Sequence, residues 1–190
     1  GTTRWADTTR SVTDVTAADV SSDADKEVLA ATGEALLVYT ADGKLLRTMA
    51  PGVEATALAD VPASPHDSTR LVVTHSGESP PLVALSADGT EQWRRSLPTA
   101  QHATPSVAAT ALRAGLAANN GNHGGRLFVY DRRSGAPRAV SPPRPSVRGV
   151  AWMPGGPDPP RLVGWTEQEL VGWQLSDSTA TAVRSLNAGE

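Results

Sequence analysis

Cysteine is absent from this chain, which excludes disulfide bridges, thiolate nucleophiles and cysteine-ligated zinc together. Lysine is almost absent too, at Lys26 and Lys44 alone, so the positive charge is carried by arginines scattered along the sequence. The formal net charge is -3, without the basic excess that marks a nucleic-acid surface, so no nucleic-acid partner is expected. No run approaches the roughly 18 apolar residues of a membrane span, and the opening GTTRWADTTR is not a secretory signal. Sustained 3.6-residue hydrophobic periodicity is missing, and Pro and Gly interrupt the chain at short intervals, which argues against a helical architecture.

The 190 residues are enough for one sizeable core, and they repeat. The segments YTADGKLLR, LSADGTEQW and YDRRSGAPR place glycines at 43, 89 and 135, in steps of 46. Each glycine follows a short apolar run, at 36–39, 82–85 and 127–130, and a fourth copy, LVGWQLSD, begins at Leu170 without the glycine. A glycine between two strand-like runs marks a hairpin, because tight turns need a residue that tolerates positive φ.

Two further β-type runs precede each hairpin. They are Val12 to Ala18 and Glu27 to Thr32, then Val53 to Val61 and Arg70 to His75, then Ser106 to Leu112 and Leu116 to Asn119, then Val147 to Met153 and Leu162 to Thr166. Four short strands per 40 to 50 residues is the signature of an all-β β-propeller with one four-stranded antiparallel sheet per repeat. The blades are expected at about 11–50, 51–98, 99–141 and 142–187, as a single propeller domain or a fragment of one. An eight-stranded sandwich is the main competitor, but it does not require the same turn at a fixed interval. Residues 2–9 are surplus to the four units, and their Trp5 matches Trp93 in the last strand of the second. The segment therefore reads as the outer strand of a preceding blade, and the chain as part of a larger ring more than as a closed four-bladed one.

The unit AADVSSDADKEVLAATGEALLVYTADGKLLR resembles an FG-GAP or VCBS-type propeller repeat, with an acidic loop before an apolar strand and hairpin. PLVALSADGTEQWRRSLP resembles a blade of the PQQ-type quinoproteins, and LVGWQLSD a WD-repeat strand end with Gln174 where the aspartate would stand. The acidic loop places oxygen-bearing side chains at every second residue from Asp19 to Glu27, a spacing suited to calcium. The FG-GAP resemblance implies Asp19, Ser21, Asp23 and Glu27 as the ligands, and an extracellular or cell-surface setting. Ala24 stands where that pattern has glycine, and the corresponding loops of the other units lack the acidic alternation. A solvated connection between two strands is the plainer reading of the loop.

Other constellations are sparse. His66, His75, His102 and His123 show no metal-ligand spacing, and NNGNHGG at 119–125 lacks the lysine and helix of a phosphate-binding loop. Trp152, Trp165 and Trp173 suit packing between blades, with an aromatic ligand platform as the alternative. No nucleophile elbow occurs, and a quinoprotein cofactor would need a complete ring and often a vicinal cysteine pair. The expectation is a non-enzymatic scaffold that binds protein partners within a larger assembly. A calcium-dependent adhesive or carbohydrate-binding propeller is the first alternative, and a quinoprotein enzyme the second. If the acidic loop holds calcium, the melting midpoint will rise with calcium and fall with chelator. An unchanged midpoint, at a resolution of about 1 kcal/mol of linkage, removes that reading.

Overall fold

The computed structural model describes residues 2–21, 25–49, 55–60, 69–75, 81–96, 106–109, 113–119, 125–141, 147–153, 161–165, 169–175 and 180–187. Within them the chain forms four sheets, each a meander of four antiparallel strands in sequence order. The first contains β1 (Val12–Ala18), β2 (Glu27–Thr32), β3 (Leu36–Tyr39) and β4 (Leu45–Met49). The second contains β5 (Ala55–Asp60), β6 (Thr69–His75), β7 (Pro81–Ser86) and β8 (Glu91–Ser96). The third contains β9 (Ser106–Ala109), β10 (Arg113–Asn119), β11 (Gly125–Asp131) and β12 (Pro137–Val140). The fourth contains β13 (Gly149–Trp152), β14 (Arg161–Trp165), β15 (Glu169–Leu175) and β16 (Ala180–Asn187).

The sequence-based strands recur with small shifts. The expected run from Ser106 to Leu112 ends as a strand at Ala109, and β10 starts at Arg113, three residues before the expected Leu116. The Arg113-Ala-Gly stretch looks like a loop by composition, yet its backbone pairs with Asp131, Tyr130 and Val129. The ladder with a neighbouring strand overrides the weak strand preference of Ala and Gly.

Successive sheets stack face to face. Leu29, Leu36, Val38 and Met49 of the first sheet pack on Leu58, Leu71, Val73, Val83 and Leu85 of the second. The opposite face of the second sheet, through Val72, Leu82, Ala84 and Trp93, packs on Val107, Phe128 and Tyr130 of the third. Leu127, Val129 and Ala139 then meet Val150, Leu162, Val171 and Trp173 of the fourth. Adjacent side chains of one strand thus enter different interfaces, so all four residues of β3 are buried. This is why the third strands are continuous apolar runs instead of alternations.

The innermost strands follow one another as β1, β5, β9 and β13, and among the described residues β13 makes no comparable contact with β1. Cross-links at the axis repeat along this row. The Asp14 carboxylate accepts the Leu58 amide at 2.7 Å, and the Ser106 hydroxyl oxygen accepts the Val150 amide at 3.3 Å. Among the described residues no core cluster joins the fourth sheet to the first, and these residues run as an open arc.

The hairpin glycines take φ of 83° at Gly43, 90° at Gly89 and 64° at Gly135. Each donates its amide to the first residue of the turn: Gly43 to Thr40, Gly89 to Ser86, Gly135 to Asp131. The ladders shift register beside each turn, at Val38/Tyr39, Ala84/Leu85 and Val129/Tyr130. These are turns closed by a glycine bulge, in which glycine supplies the left-handed residue. A Cβ at Gly135 would lie 2.7 Å from the Trp93 ring, and one at Gly89 3.0 Å from the flexible end of Met49. Gly135→Ala is therefore expected to cost roughly 3 kcal/mol, and Gly89→Ala roughly 1 to 2 kcal/mol because Met49 yields where an indole does not. Paired chemical denaturation curves test this order; a costlier Gly89→Ala contradicts it.

Candidate docking surface

The outer strands hold the arc together at its rim. The Trp93 indole N–H donates to the Arg132 carbonyl of the next hairpin at 2.6 Å, with its ring against Gly135. One blade earlier, Arg47 Nη2 donates to the matching Ala87 carbonyl, and Met49 covers Gly89. The same device recurs before β1, where the Trp5 indole donates to the Ala41 carbonyl at 3.0 Å and its ring lies on Gly43. In all three cases the acceptor is the second residue of the turn. The Arg132 carbonyl is buried, and left without a donor it would cost about 1–3 kcal/mol, so that latch serves packing and hydrogen bonding together.

Around Trp5 the first sheet is finished by a polar network. Trp5 stacks on Tyr39 with ring centroids 5.5 Å apart, over a small cluster of Ala30, Ala35 and Leu37. The Tyr39 hydroxyl donates to Asp7 Oδ2 at 2.8 Å, and Arg10 Nη1 donates to the same oxygen at 2.8 Å. The Thr9 hydroxyl and amide also donate to Asp7 and, with Tyr39 and Arg10, hold its carboxyl well below the ordinary range. Burial, then the Asp7 carboxylate, push the Tyr39 phenol up. Beside this network lies a cleft of about 470 Å³, lined by Thr9, Arg10, Ser11, Thr32, Gly33 and Leu37 among others.

Among the described residues, the opposite end of the arc exposes apolar side chains. Trp165 lies flat on Gly149 of the neighbouring strand and is 43% exposed, with Leu170, its cross-strand partner, 44% exposed. The other two tryptophans of this blade are packing residues. Trp173 is fully buried, and the half-buried Trp152 donates to the Ala108 carbonyl of the third blade at 3.1 Å.

The rim between the second and third blades gathers arginines that are far apart in sequence. Arg95 donates to the Gly135 and Ser134 carbonyls at 2.8 and 3.0 Å, which brings it onto the hairpin carrying the exposed Arg133. Arg138 is paired with Asp131 at 3.0 Å, and Arg94 with Glu91 at 2.6 Å. Sequence reading missed this patch because no one segment holds it. The available signal was the repeat itself, since the outer strand of one unit lies beside the hairpin of the next.

The acidic loop is placed differently from its sequence pattern. Asp19 and Ser21 are half-buried, and Asp23 lies outside the described residues. Glu27 is buried and accepts the Val20 amide at 2.9 Å, while Arg47 donates to the Val20 carbonyl at 2.6 Å. The Glu27 carboxylate thus fastens the loop's own backbone. Lys26 reaches Asp60 of the second blade at 2.9 Å. Among the described residues no three histidine, aspartate or glutamate side chains assemble as a metal site. His75 ends β6, while 66, 102 and 123 lie outside the described residues. Asn119 and Gly125 pair at the end of the β10–β11 ladder, and the tip between them, at 120–124, is likewise outside.

No family model matches the chain, and no curated protein matches its sequence. Solved structures match its fold. A structure of BBS1N in complex with ARL6DN is similar with a TM-score of 0.65 at 13% identity, over 96% of this chain and 53% of that one. A structure of the Dos1 propeller matches with a TM-score of 0.63 at 11% identity, over 95% and 48%. BamB from Moraxella catarrhalis matches with a TM-score of 0.57 at 17% identity, over 93% and 49%. The chain has a β-propeller fold and spans about half the length of these propellers. The likeness carries the fold and does not single out a repeat type.

Tyr130 supplies a pH test of the blade 2–blade 3 interface. Burial pushes its phenol up to about 12, against the opposing charge of Arg95. The folded state favours the neutral phenol, so this contribution is full below pH 10 and is lost as pH rises towards 12. The melting temperature should fall over that window, and Tyr130→Phe should fall less steeply. Parallel slopes for the two proteins would contradict the assignment.

Proposed function

We propose that this chain is a non-enzymatic scaffold that docks a protein partner with acidic side chains as part of a larger assembly. The observation that carries this reading is the arginine rim around hairpin 131–135 in a chain of net charge -3. Arg138 pairs with the Asp131 carboxylate, the Arg133 amide donates to the same carboxylate, and Arg95 donates to the Gly135 and Ser134 carbonyls of that hairpin. Planar guanidinium groups on a rigid support suit carboxylates, which accept two parallel N–H bonds. The acidic balance of the rest of the surface disfavours a long polyanion and favours a discrete acidic segment. The BBS1N structure was solved with a protein bound, which supports protein docking as a use of this fold without identifying the partner here.

The test is retention of partners by the tagged native-length protein, with and without Arg133→Glu and Arg138→Glu. Both side chains are exposed, and the Arg138–Asp131 ion pair that is lost is of the surface type worth about 0–1 kcal/mol. The melting temperature should therefore hold, while a partner kept by the parent protein should be retained roughly tenfold less and released by added salt. Equal retention in parent and variant would remove the rim as the docking surface.

A further inference from the structure

We propose that residues 2–9 form the outer strand of a further blade, whose three inner strands belong to the same polypeptide outside these 190 residues. The proposal rests on reading the chain as a module of a larger assembly, and it names what covers the first blade. Trp5, Arg47 and Trp93 make one contact three times, each donating to the second residue of the following hairpin. Behind Arg47 and Trp93 stands a complete four-stranded blade; behind Trp5, among the described residues, stands the segment alone. Its chain order is that of an outer strand too, since it leads directly into the inner strand β1, as β4 leads into β5.

The surface beneath it fits the same occupant. Tyr39 and Leu37 of β3 correspond to Leu85 and Val83 of β7, counted back from the hairpin glycines. Leu85 and Val83 are covered by a sheet, through Leu29, Leu36 and Val38 of the first blade. Over Leu37 and Tyr39 the described packing is Trp5, Val28 being their neighbour within the same sheet, with the cleft of about 470 Å³ beside them. Residues 2–8 have no strand partner among the described residues, so one backbone edge is open for a ladder. A three-stranded antiparallel sheet would supply that ladder and an apolar face of the kind seen at the other seams.

A second copy of this chain fits less well. Its exposed fourth-blade face already ends in its own outer strand, β16, which would compete with Trp5 for the seat on Gly43. The solved propellers also extend to about twice the length matched here.

Hydrogen exchange read by mass spectrometry on both the 190-residue chain and the native-length protein tests this. The amides of residues 3–8 should exchange rapidly in the 190-residue chain and about 100-fold more slowly in the native-length monomer. Trp5→Ala in the native-length protein should restore fast exchange there while β10–β11 stays protected. Three outcomes overturn the proposal: no protection in the native-length protein, equal protection in both chains, or protection that vanishes when a dimer is diluted. Partner retention by the arginine-rim variant is a separate readout, so loss of one reading leaves the other standing.

Discussion

Each sheet of this protein must bury two faces, and that requirement organises the rest. A single four-stranded sheet cannot hide Leu36 and Leu37, or Val38 and Tyr39, on one side, because consecutive side chains of a strand point in opposite directions. Both faces must therefore be covered, Leu36 and Val38 by the second sheet and Leu37 and Tyr39 by the segment that carries Trp5. The stacked interfaces of the first three seams follow from this. Alanines such as Ala30, Ala31, Ala57, Ala59 and Ala84 let the sheets approach closely where their strands converge.

Apolar stacking alone does not fix how one sheet sits on the next, since hydrophobic contact is non-directional. Direction is supplied at the two margins. Near the axis Asp14 and Ser106 accept amides of the following blade. At the rim an indole or guanidinium donor finds a hairpin carbonyl, while a large side chain covers the glycine beneath it. Arg47 and Met49 share these two tasks, whereas Trp93 performs both and Arg95 adds further donors. The geometry of the seam is therefore kept although the residues that perform each task change, which is why the repeat is clearer in its glycines than in its outer strands.

The same margins generate the surfaces available for binding. The rim latches draw Arg95 onto the hairpin that bears Arg133, and so concentrate positive charge that the sequence spreads over some forty residues. The two ends of the arc differ. One is dressed by Trp5, Asp7 and Arg10 over Tyr39, whereas the other leaves Trp165 and Leu170 in contact with water.

The sequence by itself determined the period, the hairpins and the alternation of buried strands. Glycine at 43, 89 and 135 is a local requirement of positive φ, and the continuous apolar runs state that both faces are covered. It also pointed to Trp5 as a counterpart of Trp93, because the match lies in a short segment. The extent of β9 and β10 and the arginine rim were decided only in three dimensions. Each depends on which strand lies beside another across roughly forty residues, a relation that local propensity does not encode. The acidic loop shows the difference most directly. Alternate carboxylates are legible as a pattern, but the structure turns Glu27 inward to the Val20 amide. A buried amide needs an acceptor, and the packing of the first blade on the second put that amide within its reach.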